Sequence, residues 1–180
     1  MDTLKGTRIK LREIVNEDWQ DIHAYASNPS VCRFQPWGPN TEEDTKIFLN
    51  QILMDAQENP RTRYYFAIIE KESDSLIGSC ELNLRDNTNR TGEISYIIHP
   101  EYWGKGYATE AAKLLITLGF TEFNLHRIFA TCDTRNIGSA KVLEKTGMML
   151  EGRMREDLLI KDGWRDSYLY SILEYEWKAR

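Results

Sequence analysis

Cysteine and proline are scarce, with 3 and 5 among 180 residues. Cys32, Cys80 and Cys132 are odd in number, far apart and never in a C-x-x-C pair. His23, His99 and His126 do not fall at ligand spacing from them or from each other, so a structural zinc site and a disulfide framework are excluded. Reduced thiols in a cytoplasmic chain are the expectation. No apolar run approaches the roughly 18 residues of a membrane span, and Met1-Asp2-Thr3-Leu4 does not open like a signal peptide. Neither a membrane partner nor an export route is expected. Positive charge is also short: 23 Lys and Arg face 28 Asp and Glu, a net charge of −5. Broad nucleic-acid binding needs a basic face, so direct contact with nucleic acid is not expected. Neutral or cationic small partners suit this balance better. Repeats, low-complexity tracts and linkers are missing too, which predicts a single domain over residues 1–180. What is present is a hydrophobic share of 41%, enough for one core without staples.

Local patterns place the elements. Arg8 to Arg12 alternates as a half-buried strand. Asn16-Glu17-Asp18 opens a helix with Trp19, Ile22 and Ala26 on one face, stopped by Asn28-Pro29. An aromatic loop with breakers follows, Phe34 to Pro39. Thr41-Glu42-Glu43-Asp44 starts a second helix whose apolar stripe is read as Ile47, Phe48, Ile52 and Leu53. Tyr64 to Glu70 and Leu76 to Leu84 read as strands around a Ser73-Asp74-Ser75 turn. The predicted fourth strand is Glu93 to Ile98. A glycine-bearing loop leads from it into a helix with Ala108, Ala111, Ala112, Leu115 and Leu118 on one face, ended by Gly119. Arg127 to Cys132 is the fifth strand. Asn136 starts a short helix that Gly147 closes. Two long strands, Met148 to Ile160 and Arg165 to Tyr175, flank the turn dipeptide Asp162-Gly163. The expected fold is mixed α/β (α+β), with a mostly antiparallel sheet of about seven strands and about four helices.

Strand, glycine loop and helix together make an anion site. The first amides of a helix lack internal partners, and the dipole adds positive charge there. Gly104, Gly106 and small Ala108 let phosphate oxygens approach those amides, although a tight turn with nothing bound satisfies the same pattern. Two familiar phosphate motifs fail on spacing. Lys105 is followed by Gly106, not by the Ser or Thr of a Walker loop. Thr109 stands where a dinucleotide fingerprint wants its third glycine, and the loop does not follow a first strand.

The stretch Trp103-Gly104-Lys105-Gly106-Tyr107-Ala108 resembles the signature [QR]-x-x-G-x-[GA] of the GNAT superfamily of acetyl-CoA-dependent N-acetyltransferases, with Trp103 in place of Gln or Arg. The longer run Pro100 to Ala111, the run Asn136 to Met148 and the ending Asp166 to Ser171 are similar to the RimJ/RimL-like branch, which acetylates ribosomal-protein N-termini. The resemblance implies a GNAT fold splayed between the predicted fourth and fifth strands, acetyl-CoA as cofactor with no metal, and an amine acceptor. A second copy of the chain is a further partner that it allows. Amides from Gly104 to Thr109, including those of Lys105 and Tyr107, would hold the CoA pyrophosphate. A bulged fourth strand at Tyr96, Ile97 and Ile98 would pair with the pantetheine arm and offer an N–H to the thioester oxygen. Asn136 would meet the pantetheine region while also reading as a helix N-cap.

The catalytic residues are less sharply drawn. Many members of the superfamily carry a tyrosine acid where this chain has Leu143. The branch resemblance implies Ser139 as the donor to the CoA sulfur instead, and Ser139 also reads simply as a small helix-start residue. A thiol of pKa about 8.5 leaves readily, so an acid is useful and not indispensable. Glu93 is the candidate base through water and Glu81 the reserve, although each also reads as a paired carboxylate. Glu156 and Asp157 on the following hairpin stay unoriented. Phe34, Trp37, Trp164 and Tyr168 are the candidate acceptor-groove aromatics, or else core and dimer contacts. An α-amine of pKa about 7.7–8.0 is neutral in roughly a tenth of molecules at pH 7, whereas lysine at about 10.4 is almost wholly charged. A weakly equipped site therefore suits a protein N-terminus. Acetylation of a small amine (a polyamine or an aminoglycoside) and a non-catalytic acyl-CoA sensor are the alternatives.

Overall fold

A computed structural model describes residues 3–179. In chain order the strands are β1 (Leu4–Lys5), β2 (Ile9–Glu13), β3 (Arg63–Glu70), β4 (Leu76–Asp86), β5 (Thr91–Ile98), β6 (Arg127–Asp133), β7 (Met149–Ile160) and β8 (Gly163–Leu173). The helices are α1 (Trp19–Ala26), α2 (Pro29–Cys32), α3 (Glu42–Asp55), α4 (Tyr107–Thr121), α5 (Ile137–Thr146) and α6 (Glu174–Lys178). The single sheet runs β1-β2-β3-β4-β5-β6-β8-β7 and is antiparallel except between β5 and β6. Eight strands and six helices replace the expected seven and four. The additions are short pieces: the two-residue β1, the one-turn α2 and the terminal α6, which takes over Glu174 and Tyr175 from the last predicted strand.

Alternation along each strand feeds two cores. Ile94 and Ile98 of β5 join Leu115 and Ile116 of α4 and Leu143 of α5 on one face. Ile22 and Tyr25 of α1 and Leu49 and Ile52 of α3 cover Ala67 and Ile69 on the other. Helix α3 turns its stripe differently from the expectation: Leu49 is buried and Ile47 is 61% exposed. Gly119 does not end α4. It lies inside the helix, at a position where a Cβ would sit 2.6 Å from Ile128 Cδ1 on β6.

The β5–β6 ladder runs only over Thr91–Arg127, Gly92–Ile128 and Glu93–Phe129. Both strands continue beyond it, each held on its far side, β5 by β4 and β6 by β8. The result is a wedge between Ile94–Ile98 and Ala130–Asp133, the splay expected between the fourth and fifth predicted strands. No register break interrupts β5 from Gly92 to Ile98. The bulge lies instead on β4, between Leu84 and Asp86, so the strands part without a bulge beside Tyr96.

Candidate active site

At the mouth of the wedge, β5 ends and the chain turns through Trp103 to Gly106 into α4. Gly104 and Gly106 have φ of +74° and +85°, the left-handed region that glycine enters without cost. The first helical hydrogen bond runs from Glu110 N–H to Gly106 C=O, 3.1 Å. The amides of Tyr107, Ala108 and Thr109 therefore precede the helical ladder and stay open. Trp103 closes the loop by donating from Nε1 to the Ile98 carbonyl (2.7 Å), a bond the motif's usual first residue would have to replace. Arg8, which sequence reasoning passed over, braces the loop from behind. Its guanidinium donates to the Lys105 carbonyl (2.8 Å), pairs with Glu110 and lies over the Tyr107 ring. Only tertiary contact across the sheet could have revealed it.

Two cavities flank the wedge. The first, about 810 Å³, takes in Gly104, Gly106, Ala108 and Thr109 together with Arg33, Arg135, Lys141 and Lys145. Among the described residues no carboxylate lines it, and a Cβ on Gly104 would meet nothing within 4 Å. Open helix amides, a glycine cradle and a lining with Arg33, Lys141 and Lys145, beside an Arg135 that also holds Asp133, fit a polyphosphate. Trp103 and Tyr107 line this cavity, whereas the Lys105 side chain turns over the Tyr102 ring.

The second cavity, about 860 Å³, lies against the α1–α3 face and holds Phe34, Trp37, Glu81 and Glu93. Phe34, Tyr96, Ile97, Asn136 and Ser139 line both cavities, which meet at the wedge. His99 N–H bonds to the Ile77 carbonyl, so alternation turns the peptide groups of Ile97 toward β4 and those of Tyr96 and Ile98 toward the gap. Asn136 caps α5 by accepting from Ser139 N–H (3.1 Å). Ser139 Oγ shares a 2.9 Å hydrogen bond with the Tyr96 hydroxyl. Burial raises the Tyr96 pKa and keeps that phenol protonated. Cys132 shares the acceptor-side cavity, and burial pushes its thiol up to about 11.

Both candidate bases carry arginine partners. Arg85 Nε donates to Glu93 Oε2 (2.7 Å) and Arg63 Nε to Glu81 Oε1 (2.5 Å). Trp164 and Tyr168 line neither cavity. They share strand parity with Tyr170 and Ile172, on the α5 face; Tyr168 packs into that core and Trp164, at the hairpin tip, is 63% exposed. The opposite parity of β8, Arg165 and Ser167, faces the α1–α3 side, and Arg165 lines the acceptor-side cavity. Glu156 and Asp157 lie where the β7–β8 register breaks, with Glu156 N–H held by Asp166. Among the described residues no cluster of three His, Cys, Asp or Glu side chains could hold a metal ion.

A family model described as acetyltransferase (GNAT) domain matches residues 8–149. The chain is 39% identical over 170 residues to a Bacillus subtilis protein named uncharacterized N-acetyltransferase YnaD, covering 94% of this chain and 96% of that one. It is 30% identical to the spermidine N(1)-acetyltransferase of Escherichia coli, covering 95% and 89%. The solved ribosomal-protein-S5-alanine acetyltransferase of Vibrio fischeri superposes with a TM-score of 0.84 at 27% identity, covering 98% and 99%. With the glycine cradle, the wedge and a matching domain over most of its length, this chain belongs to the GNAT family and is an acetyl-CoA-dependent N-acetyltransferase.

Proposed function

We propose that the acceptor is a primary amine, best a protein N-terminal α-amine as in the ribosomal-protein branch, and that it attacks directly without an acyl-enzyme. The observation that carries this reading is the meeting of the two cavities at Ser139 and Tyr96. Bound acetyl-CoA supplies an activated acyl group on a thiol leaving group. The open amides of Tyr107 to Thr109 and the cationic wall hold its phosphates. Ser139 Oγ, backed by the Tyr96 hydroxyl, keeps a proton at the junction. Tyr96 thus supplies a phenol although Leu143 stands at the family's tyrosine position. A thiol of pKa about 11 is ionised in roughly one molecule in ten thousand at pH 7, so Cys132 is a poor nucleophile. Glu81 and Glu93, each held by an arginine, can relay a proton through water, which suits an amine that is already partly neutral.

Polyamine acetylation is the second reading, favoured by the identity to a spermidine acetyltransferase. Free-thiol release from acetyl-CoA with peptides, polyamines and aminoglycosides, followed by mass spectrometry of the products, tests both. Acetylated peptide α-amines are expected. Product from polyamine or aminoglycoside alone overturns the preferred acceptor.

A further inference from the structure

The geometry points to an acceptor that carries a carboxylate beside its amine, recognised by Arg165; this rests on the acetyl-transfer reading above. Arg165 is 7% exposed and lines the acceptor-side cavity. Buried charges are ordinarily paired with an opposite charge. The hydrogen-bond partners of Arg165 among the described residues are neutral: Nε and Nη2 donate to Ser167 Oγ (3.1 and 3.0 Å) and Nη1 to the Phe34 carbonyl (2.6 Å), while the buried Asp133 carboxylate feels its charge but is hydrogen-bonded to Arg135. A guanidinium has five N–H groups, so one remains on each terminal nitrogen. That pair is the fork that binds a carboxylate.

The other ionic groups of the cavity are spent. Glu81 is held by Arg63, Glu93 by Arg85 and Asp133 by Arg135. Asp44, exposed at the rim, caps α3 through Thr41. Of the two arginines that line this cavity, Arg63 is bonded to Glu81 and Asp55, and Arg165 has no carboxylate hydrogen-bonded to it among the described residues. A polyamine would bring further cations beside the Arg165 guanidinium. An amine with a neighbouring carboxylate completes the set, and the same chemistry occurs in free amino acids and in peptides with an acidic residue near the N-terminus.

The test is kcat/KM on matched pairs: Ala-Asp against Ala-Asn peptides, and free amino acids against their amides, with spermidine alongside. The wild-type enzyme is expected to favour the carboxylate member of at least one pair by about 10-fold or more, and the pair that responds names the source. In Arg165→Gln the ratio is expected to fall toward one, and Arg165→Lys is expected to retain part of it. Equal rates within both pairs, preference for the neutral member or for spermidine, or a ratio that survives Arg165→Gln overturns the inference. The wild-type comparison decides alone if the variants do not fold. Failure of the acetyl-transfer reading is distinct, since it appears as no thiol release with any amine.

Discussion

Ser139 Oγ and the Tyr96 hydroxyl share a hydrogen bond at the wedge, and the Tyr96 hydroxyl also reaches the Ser139 carbonyl (3.2 Å), so the phenol keeps a backbone partner when the serine hydroxyl is removed. Ser139→Ala is expected to lower kcat about 10- to 100-fold with little change in the KM for acetyl-CoA, the signature of help given as sulfur departs. A purely structural role would appear as a lower melting temperature with normal kinetics. Tyr96→Phe should have a smaller effect of the same kind, because in the proposed role the phenol acts through Ser139. Cys132 gives the complementary expectation. Burial raises its pKa, so alkylation should be slow at pH 7 and accelerate as pH rises toward about 11, and Cys132→Ala should keep turnover within about 3-fold. Acetyl-cysteine at this position during turnover, detected by mass spectrometry, would contradict direct attack.

At the scale of elements, the start of α4 and the β4–β5 pair set the site. Gly106→Glu forces a side chain into a φ of +85° and puts a negative charge where the proposed phosphate site lies. CoA affinity measured by calorimetry should fall about 100-fold or more; an unchanged affinity would count against the phosphate loop. Gly78→Ala acts on the frame behind it. A Cβ there would lie 2.2 Å from the Ile97 carbonyl oxygen, so the strands must shift, at a cost of about 1–3 kcal/mol that thermal melting would register. The loop and its helix were legible in the sequence because glycine spacing and the Ala-Leu face are local signals. Asn136 and Gly147 marked the ends of α5 for the same reason. The hairpin shows where local signals stop. Asp162-Gly163 located the turn, yet which β8 residues face the cavity depends on register. A one-residue change of parity exchanges Trp164 and Tyr168 for Arg165 and Ser167. Arg8 was equally hidden, since its value lies in reaching Lys105 and Glu110 from β2's side of the sheet.

Across the whole molecule, one topological feature organises the chemistry: a parallel pair, β5 and β6, that separates after three ladder positions inside an otherwise antiparallel sheet. The separation turns the backbone groups of Tyr96 and the Ile98 N–H toward the gap, the Ile98 carbonyl being taken by Trp103, and joins the two cavities. Each cavity has its own electrostatics, with a cationic wall on one side and, on the other, a buried arginine that no carboxylate hydrogen-bonds, and the net negative charge of the chain predicts neither. The most direct measurement is a crystal structure with CoA bound. The diphosphate should sit on the amides opening α4 between Gly104 and Thr109, and the sulfur should lie in the wedge beside Ser139 Oγ. CoA held elsewhere, or a wedge left empty while the ligand occupies another surface, would contradict the account.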